Sequence, residues 1–239
     1  MAVPINFQLS PDFHPQTLRS DNTALRDGIE SAYTAWGRVK NTLQELESAA
    51  KGDRPTVPQR KMTPTDQARL DAWSVRTSSH RAEFARKAQP MIEGAGTRLD
   101  RSLVSARAQR QKLSDELERD LVPSPTTGAH HVEIRATVRE MKKPLDTLMT
   151  AINQGDREVV AACVSAPGLV TGLTNEQRDL VRQTALKRWF PEKVEALKNL
   201  DSDLDRAQRM RDAFLEDMTT TMSGLVDQES RIIARGLGR

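Results

Sequence analysis

Cysteine is nearly missing from this chain. Cys163 stands alone among 239 residues, which excludes an internal disulfide and suits a reducing compartment or a fold that needs no covalent staple. A lone thiol of this kind is expected as a small buried hydrophobe. Aromatic residues are scarce too, at 4%, and hydrophobic residues reach only 37% while charged ones make up 29%. A thick globular core is excluded by that balance, because most of each element must stay wet and each buried stripe must be narrow. Long apolar runs are missing: none approaches the ~18 to 20 residues that span a bilayer, so no membrane span is expected. Residues 1–9 also lack a basic segment followed by an apolar one, and the reading is of a soluble, unsecreted protein. A large charge excess is missing as well. Thirty-six basic residues against 33 acidic leave +3, too little for a general attraction to polyanions.

The chemistry of catalysis is equally thin. There is no glycine-rich phosphate loop, no nucleophile elbow and no Cys or His pair at ligand spacing, so no enzyme, no cofactor and no metal site is expected. His130 and His131 with Glu133 are the one cluster that suggests a metal. Adjacent helical residues point about 100° apart and cannot easily share an ion, so both histidines are read as solvated near a helix start.

What is present is helical periodicity. Pro4, Pro11 and Pro15 around Val3, Ile5, Phe7, Leu9 and Phe13 predict an extended arm over 1–15. From there Leu18, Leu25, Ala32, Val39 and Leu46 hold one heptad position and Asn22, Ile29, Trp36, Leu43 and Ala50 the other, a coiled-coil seam with Asn22 as a polar register residue. Gly28 and Gly37 inside it imply that something packs close to the backbone. Gly52 ends that helix, and a connector with Pro55 and Pro58 leads to Thr63, Pro64 and Asp66, which cap and start the next. This second helix is predicted over 64–122, with Leu70, Trp73, Phe84 and Met91 as the seam up to and next to Pro90, then Leu99, Leu103, Ala106, Leu113 and Leu117 after a one-residue slip of phase.

Pro123, Ser124, Pro125 and Gly128 mark a break. Ile134, Val138, Met141, Leu145, Leu148 and Ile152 then predict a third helix that bends at Pro144. Gly155 ends it, Asp156 caps a short helix closed by Pro167 and Gly168, and Thr174 with Gln177 forms a capping box opening a basic helix to Phe190. A last helix, 191–235, carries Leu197, Leu204, Met218, Leu225 and Ile232 on one seam position and Leu200, Ala207 and Phe214 on the other. Arg211, Thr221 and Gln228 also fall on this seam, so its far end is expected to meet water, a polar channel or a different partner.

The fold class is therefore all-α: an elongated bundle of long, partly coiled-coil helices with proline kinks. It is divided into an arm (1–15), a long hairpin (16–122), shorter helices (129–190) and a C-terminal long helix (191–239). Leu18, Leu25, Ile29, Trp36, Leu43, Leu46, Leu197, Leu204, Phe214, Met218 and Leu225 are the expected helix-packing interface. Between Arg98 and Lys112 five basic residues face one acidic, and 194–235 carries nine acidic to six basic. Pairing of those two long helices is expected, within the chain or between copies. The alternative is a phosphate-facing stripe of Arg107, Arg110 and Lys112 that contacts nucleic acid without reading its sequence.

The stretch A-I-N-Q-G-D-R-E-V-V-A-A-C-V-S-A-P-G-L-V-T-G-L-T over 151–174 resembles a helix-turn-helix passage of small helical proteins encoded among the virion genes of tailed bacteriophages. The resemblance implies a structural component present in many copies, with itself and other structural proteins as partners, located in the virion after synthesis in the host cytoplasm. It carries over no functional residues. Two other functions fit the same residues: a bacterial cytosolic coiled-coil adaptor or regulator, and a nucleic-acid packaging or ejection protein.

Overall fold

The computed structural model describes residues 10–57, 62–122 and 128–237, and these are all-α. The apolar residues of 1–9, connector residues 58–61 and the prolines Pro123 and Pro125 lie outside the described part. The helices are α1 (Thr23–Gly52), α2 (Pro64–Leu121), α3 (Gly128–Glu140), α4 (Pro144–Gln154), α5 (Arg157–Val164), α6 (Gly168–Thr171), α7 (Asn175–Trp189) and α8 (Pro191–Leu237). Among the described residues no helix is long and apolar enough to cross a membrane. The chain forms two compact units, residues 1–106 with 203–239 and residues 107–202, so the division falls inside α2 and α8 rather than at the expected breaks near 128 and 191.

In the first unit α1, the first part of α2 and the last part of α8 pack together. Gly28 lies against Ser102 and the Trp73 indole donates to the Ala50 carbonyl at 3.1 Å, so α1 and α2 run antiparallel. Gly96 meets Leu215 and Arg211 bonds Asp100, so α2 and α8 are antiparallel as well. Gly28 has no freedom to be anything larger. A Cβ there would sit 2.1 Å from the Ser102 hydroxyl and 2.6 Å from its Cβ, which is the close backbone approach that a glycine inside a helix implies.

Several local expectations change. The described part of the arm is not extended: Pro11–Phe13 and Pro15–Thr17 each close a 3-10 turn, since proline supplies the φ these turns need. Leu18 follows those turns, outside α1. Asn22 is no seam residue, because α1 begins one position later. It is the N-cap, and its side-chain oxygen accepts from the Leu25 N–H at 2.6 Å.

On α2 no change of phase is needed at Pro90, through which the helix continues. The buried stripe before and around it is Ser78, Ala82, Ala85, Ala88, Ile92, Ala95 and Gly96, and it reaches Leu99, Leu103 and Ala106 in one register. Leu70, Trp73, Phe84 and Met91 are only half-buried beside it. Small residues permit two backbones to approach closely, and they supplant the larger side chains that hydrophobic periodicity picks out.

The second unit is built from shorter pieces around a conventional core. Val138, Leu148, Ile152, Val160, Cys163, Leu173, Val181 and Ala185 are buried together with Leu121, and α5 packs against α3, α4 and α7. The stripe expected to form one bent helix is two helices: α3 stops at Glu140 and α4 restarts at Pro144, which takes the first helical position, where its missing N–H costs nothing. Gly155 (φ 79°) ends α4 in the left-handed region, Asp156 accepts from the Val159 N–H at 3.2 Å, and Thr174 and Gln177 exchange both bonds of the capping box. His131 is buried rather than solvated, while His130 is exposed with carboxylates of Glu133 and Glu158 at 3.8 and 3.9 Å. The angle between neighbouring helical positions turns one ring inward and the other out.

Candidate interaction surfaces

In the first unit the described arm lies on α1 and α8, held by residues that heptad counting passes over. Asp203 is fully buried, and its carboxylate accepts the backbone N–H of Arg19 at 3.1 and 3.0 Å and of Ser20 at 2.7 Å. Two N–H donors, one of them shared between both oxygens, satisfy a carboxylate that burial alone would make costly. Arg206, one turn further on, donates to the Thr17 carbonyl. Farther along α8, Phe13 stacks on Trp36 with ring centroids 6.3 Å apart, and His14 meets Tyr33 edge-on at 5.2 Å.

Trp36 is the centre of this region. It is 3% exposed, packs edge-to-face on the fully buried Phe214 at 5.9 Å, and donates its indole N–H to Asp217 at 2.7 Å. Lys40 donates to the other oxygen of Asp217 at 2.8 Å and to Thr221 at 3.3 Å. Asp217 and Thr221 on the far part of the last helix therefore form a polar layer with Trp36 and Lys40 of α1, whereas Gln228 beyond them is exposed. Such a layer fixes the level at which two helices meet.

The expected interface residues divide in two. Leu25, Ile29, Trp36, Leu43, Phe214 and Met218 are buried within the chain, whereas Leu18, Leu46, Leu197, Leu204 and Leu225 are half-buried. One seam position of α8 is buried where expected, at Leu200, Ala207 and Phe214, and so is Met218; along the rest of the other, Asp203 and Met210 are buried in place of Leu204 and Arg211, and Arg211 lies beside the seam on Asp100. Hydrogen bonds to Asp100 and then Asp212 hold the Arg211 guanidinium firmly charged.

Another surface of the same unit is left uncovered. Between α2 and α8 runs a groove floored by Ile92, Gly96 and Met218 and walled by Leu215, Met222 and Val226. Polar residues rim it, Arg86, Gln89, Glu93 and Asp100 on α2 and Thr219, Ser223 and Asp227 on α8. An apolar floor with a polar rim is the form of a helix-binding surface.

In the second unit the proposed phosphate stripe is not three free cations. Arg110 donates to Asp201 at 2.9 Å, while Arg107 and Lys112 are exposed on α2. Lys193 with Asp120 at 2.6 Å and Arg182 with Glu118 pair further charges of this unit. Opposite charges of the two long helices thus meet inside the chain. Arg157 lies over Trp189 and Phe190, at 5.6 and 5.2 Å from their centroids. Burial pushes the Cys163 thiol up to about 11 despite nearby Arg135, so it is a protonated core residue and no nucleophile at neutral pH. Among the described residues no group of three or more His, Cys, Asp or Glu converges as ligands would. No protein family, curated protein or solved structure matches this chain.

Proposed function

We propose that this chain is a non-enzymatic structural protein that assembles through helix packing, a multi-copy homo-oligomeric component of a bacteriophage particle. The observation that carries the assembly reading is the open apolar groove along α2 and α8, where Leu215, Met222 and Val226 stay partly uncovered beside the buried Ile92 and Met218. Placement in a virion rests on the resemblance of residues 151–174. Both depend on packing rather than on any reactive constellation, and the partners are further copies of the chain and neighbouring structural proteins.

Mass measurement on the purified protein and on particles tests this. The expected result is a defined oligomer, and the chain in stoichiometric amount within virions. A protein that stays monomeric and is missing from particles would overturn the reading. A cytosolic adaptor would use the same groove for a different protein, and a one-to-one complex with a host protein would identify it. A nucleic-acid role would need cations turned to phosphate, and Arg110 is already spent on Asp201.

A further inference from the structure

We infer that residues 10–20 form a latch, a strap that lifts from α1 and α8 as one piece while those helices stay packed, with the Asp203 carboxylate as its catch. This is a conformational step within one chain, and it does not rest on the homo-oligomer proposed above.

The strap adds nothing to the apolar core, since none of residues 10–20 is buried. Open clefts undercut its outer half on both sides, one toward α8 beside Ser10, Phe13 and Thr220, the other toward α1 beside His14, Gln16 and Glu30. A short set of directed contacts holds it down. The N–H groups of Arg19 and Ser20 donate to Asp203, Arg206 donates to the Thr17 carbonyl and Arg26 to the Ser20 carbonyl at 3.4 Å, and the rings of Phe13 and His14 rest on Trp36 and Tyr33.

The helices beneath hold without it. Trp36 on Phe214, and Trp36 and Lys40 on Asp217, join α1 to α8 with no help from the strap, and Asn22 caps α1 with its own side chain. Asp21, exposed and outside any helix, lies between the catch and that cap and serves as the joint.

Two polar groups favour opening. With the strap down the Asp203 carboxylate is shut away from water, and the Ser20 hydroxyl is buried with no hydrogen-bond partner. Lifting the strap hydrates both, which offsets part of what the broken bonds cost. The opening therefore lies well below global unfolding in free energy, as it does for segments with few buried apolar contacts. Closed, the strap covers the Trp36 and Tyr33 rings and the Asp203 carboxylate; open, it presents all three to solvent.

Amide hydrogen exchange of the full chain, followed residue by residue by NMR, tests this. Neither Arg19 nor Ser20 lies in a helix, and their N–H groups are protected by Asp203. Both should exchange through one shared opening, more slowly than in the unfolded chain yet about a hundredfold or more faster than the amides around Trp36 in α1. Asp203→Asn should speed both about tenfold, whereas Ser20→Ala, which deletes the unpartnered hydroxyl, should slow the Arg19 amide about fivefold. Neither change should alter exchange around Trp36. Should Asp203→Asn fail to fold, the slowing in Ser20→Ala still decides. Arg19 and Ser20 amides no faster than those around Trp36 would mean that the strap opens only with the whole unit, and would overturn the latch. Exchange at the unfolded-chain rate overturns it as well, since nothing then holds the strap, and so does an Arg19 amide unchanged or faster in Ser20→Ala.

Discussion

The two units solve the same problem in different ways. Residues 107–202 bury branched aliphatic side chains between short helices, of which α5 and α7 open on side-chain caps. The unit of 1–106 and 203–239 relies on long helices brought close by Ala, Ser and Gly and then fixed in level by polar bonds: Asp203 on the arm, Asp217 on Trp36 and Lys40. Apolar volume gives attraction without direction. Directed polar bonds select one register among the several that a uniform small-residue stripe would accept.

The largest effect is expected where the second strategy is concentrated. Trp36→Ala removes the stack on Phe13, the edge contact with Phe214 and the bond to Asp217, and should cost about 3 to 5 kcal/mol. Tyr33→Ala, at a half-buried position, should cost much less, and thermal melting of both variants checks it. Equal small losses would dissolve the distinction between the units. Next is Leu148→Ala in the aliphatic core, at about 2 to 5 kcal/mol. Cys163 belongs to the same core and serves as its reporter: a thiol reagent should label it faster in Leu148→Ala than in Trp36→Ala, and the reverse order would mean that the two cores open as one. The smallest effect concerns close approach. Gly28→Ala should cost about 1 to 3 kcal/mol in the native chain and nearly nothing in a Ser102→Gly background, measured by denaturant melts of the double-mutant cycle.

Local signals were the most legible part of the sequence. The cap at Thr63 and the box at Thr174 with Gln177 form as read, because a cap depends on residues within one turn; Asp66 goes beyond its expected dipole role by exchanging bonds with Thr63, which draw its carboxyl below the usual range. All-α character followed from periodicity summed over many turns. Register did not. Counting heptads cannot tell that Asn22 lies just before a helix, and alanine carries too little apolar signal to announce Ala82 or Ala85 as core. Asp203 was hidden for a further reason: what makes a buried carboxylate acceptable is a set of N–H donors from a distant part of the chain. The groove beside Met222 was equally illegible, since which apolar residues stay uncovered depends on how α2 and α8 meet.

The clasp at Asp203 also sets an order of events during synthesis. Ser20 waits for a partner 183 positions later, whereas residues 107–202 form an unbroken stretch that leaves the ribosome before Asp203 does. The aliphatic unit can therefore close first, while α1 and the first part of α2 remain a hairpin with one flank bare. Nascent chains halted before α8 has emerged would expose that flank to chaperones, and release of the last helix would cover it and draw the arm down in the same step.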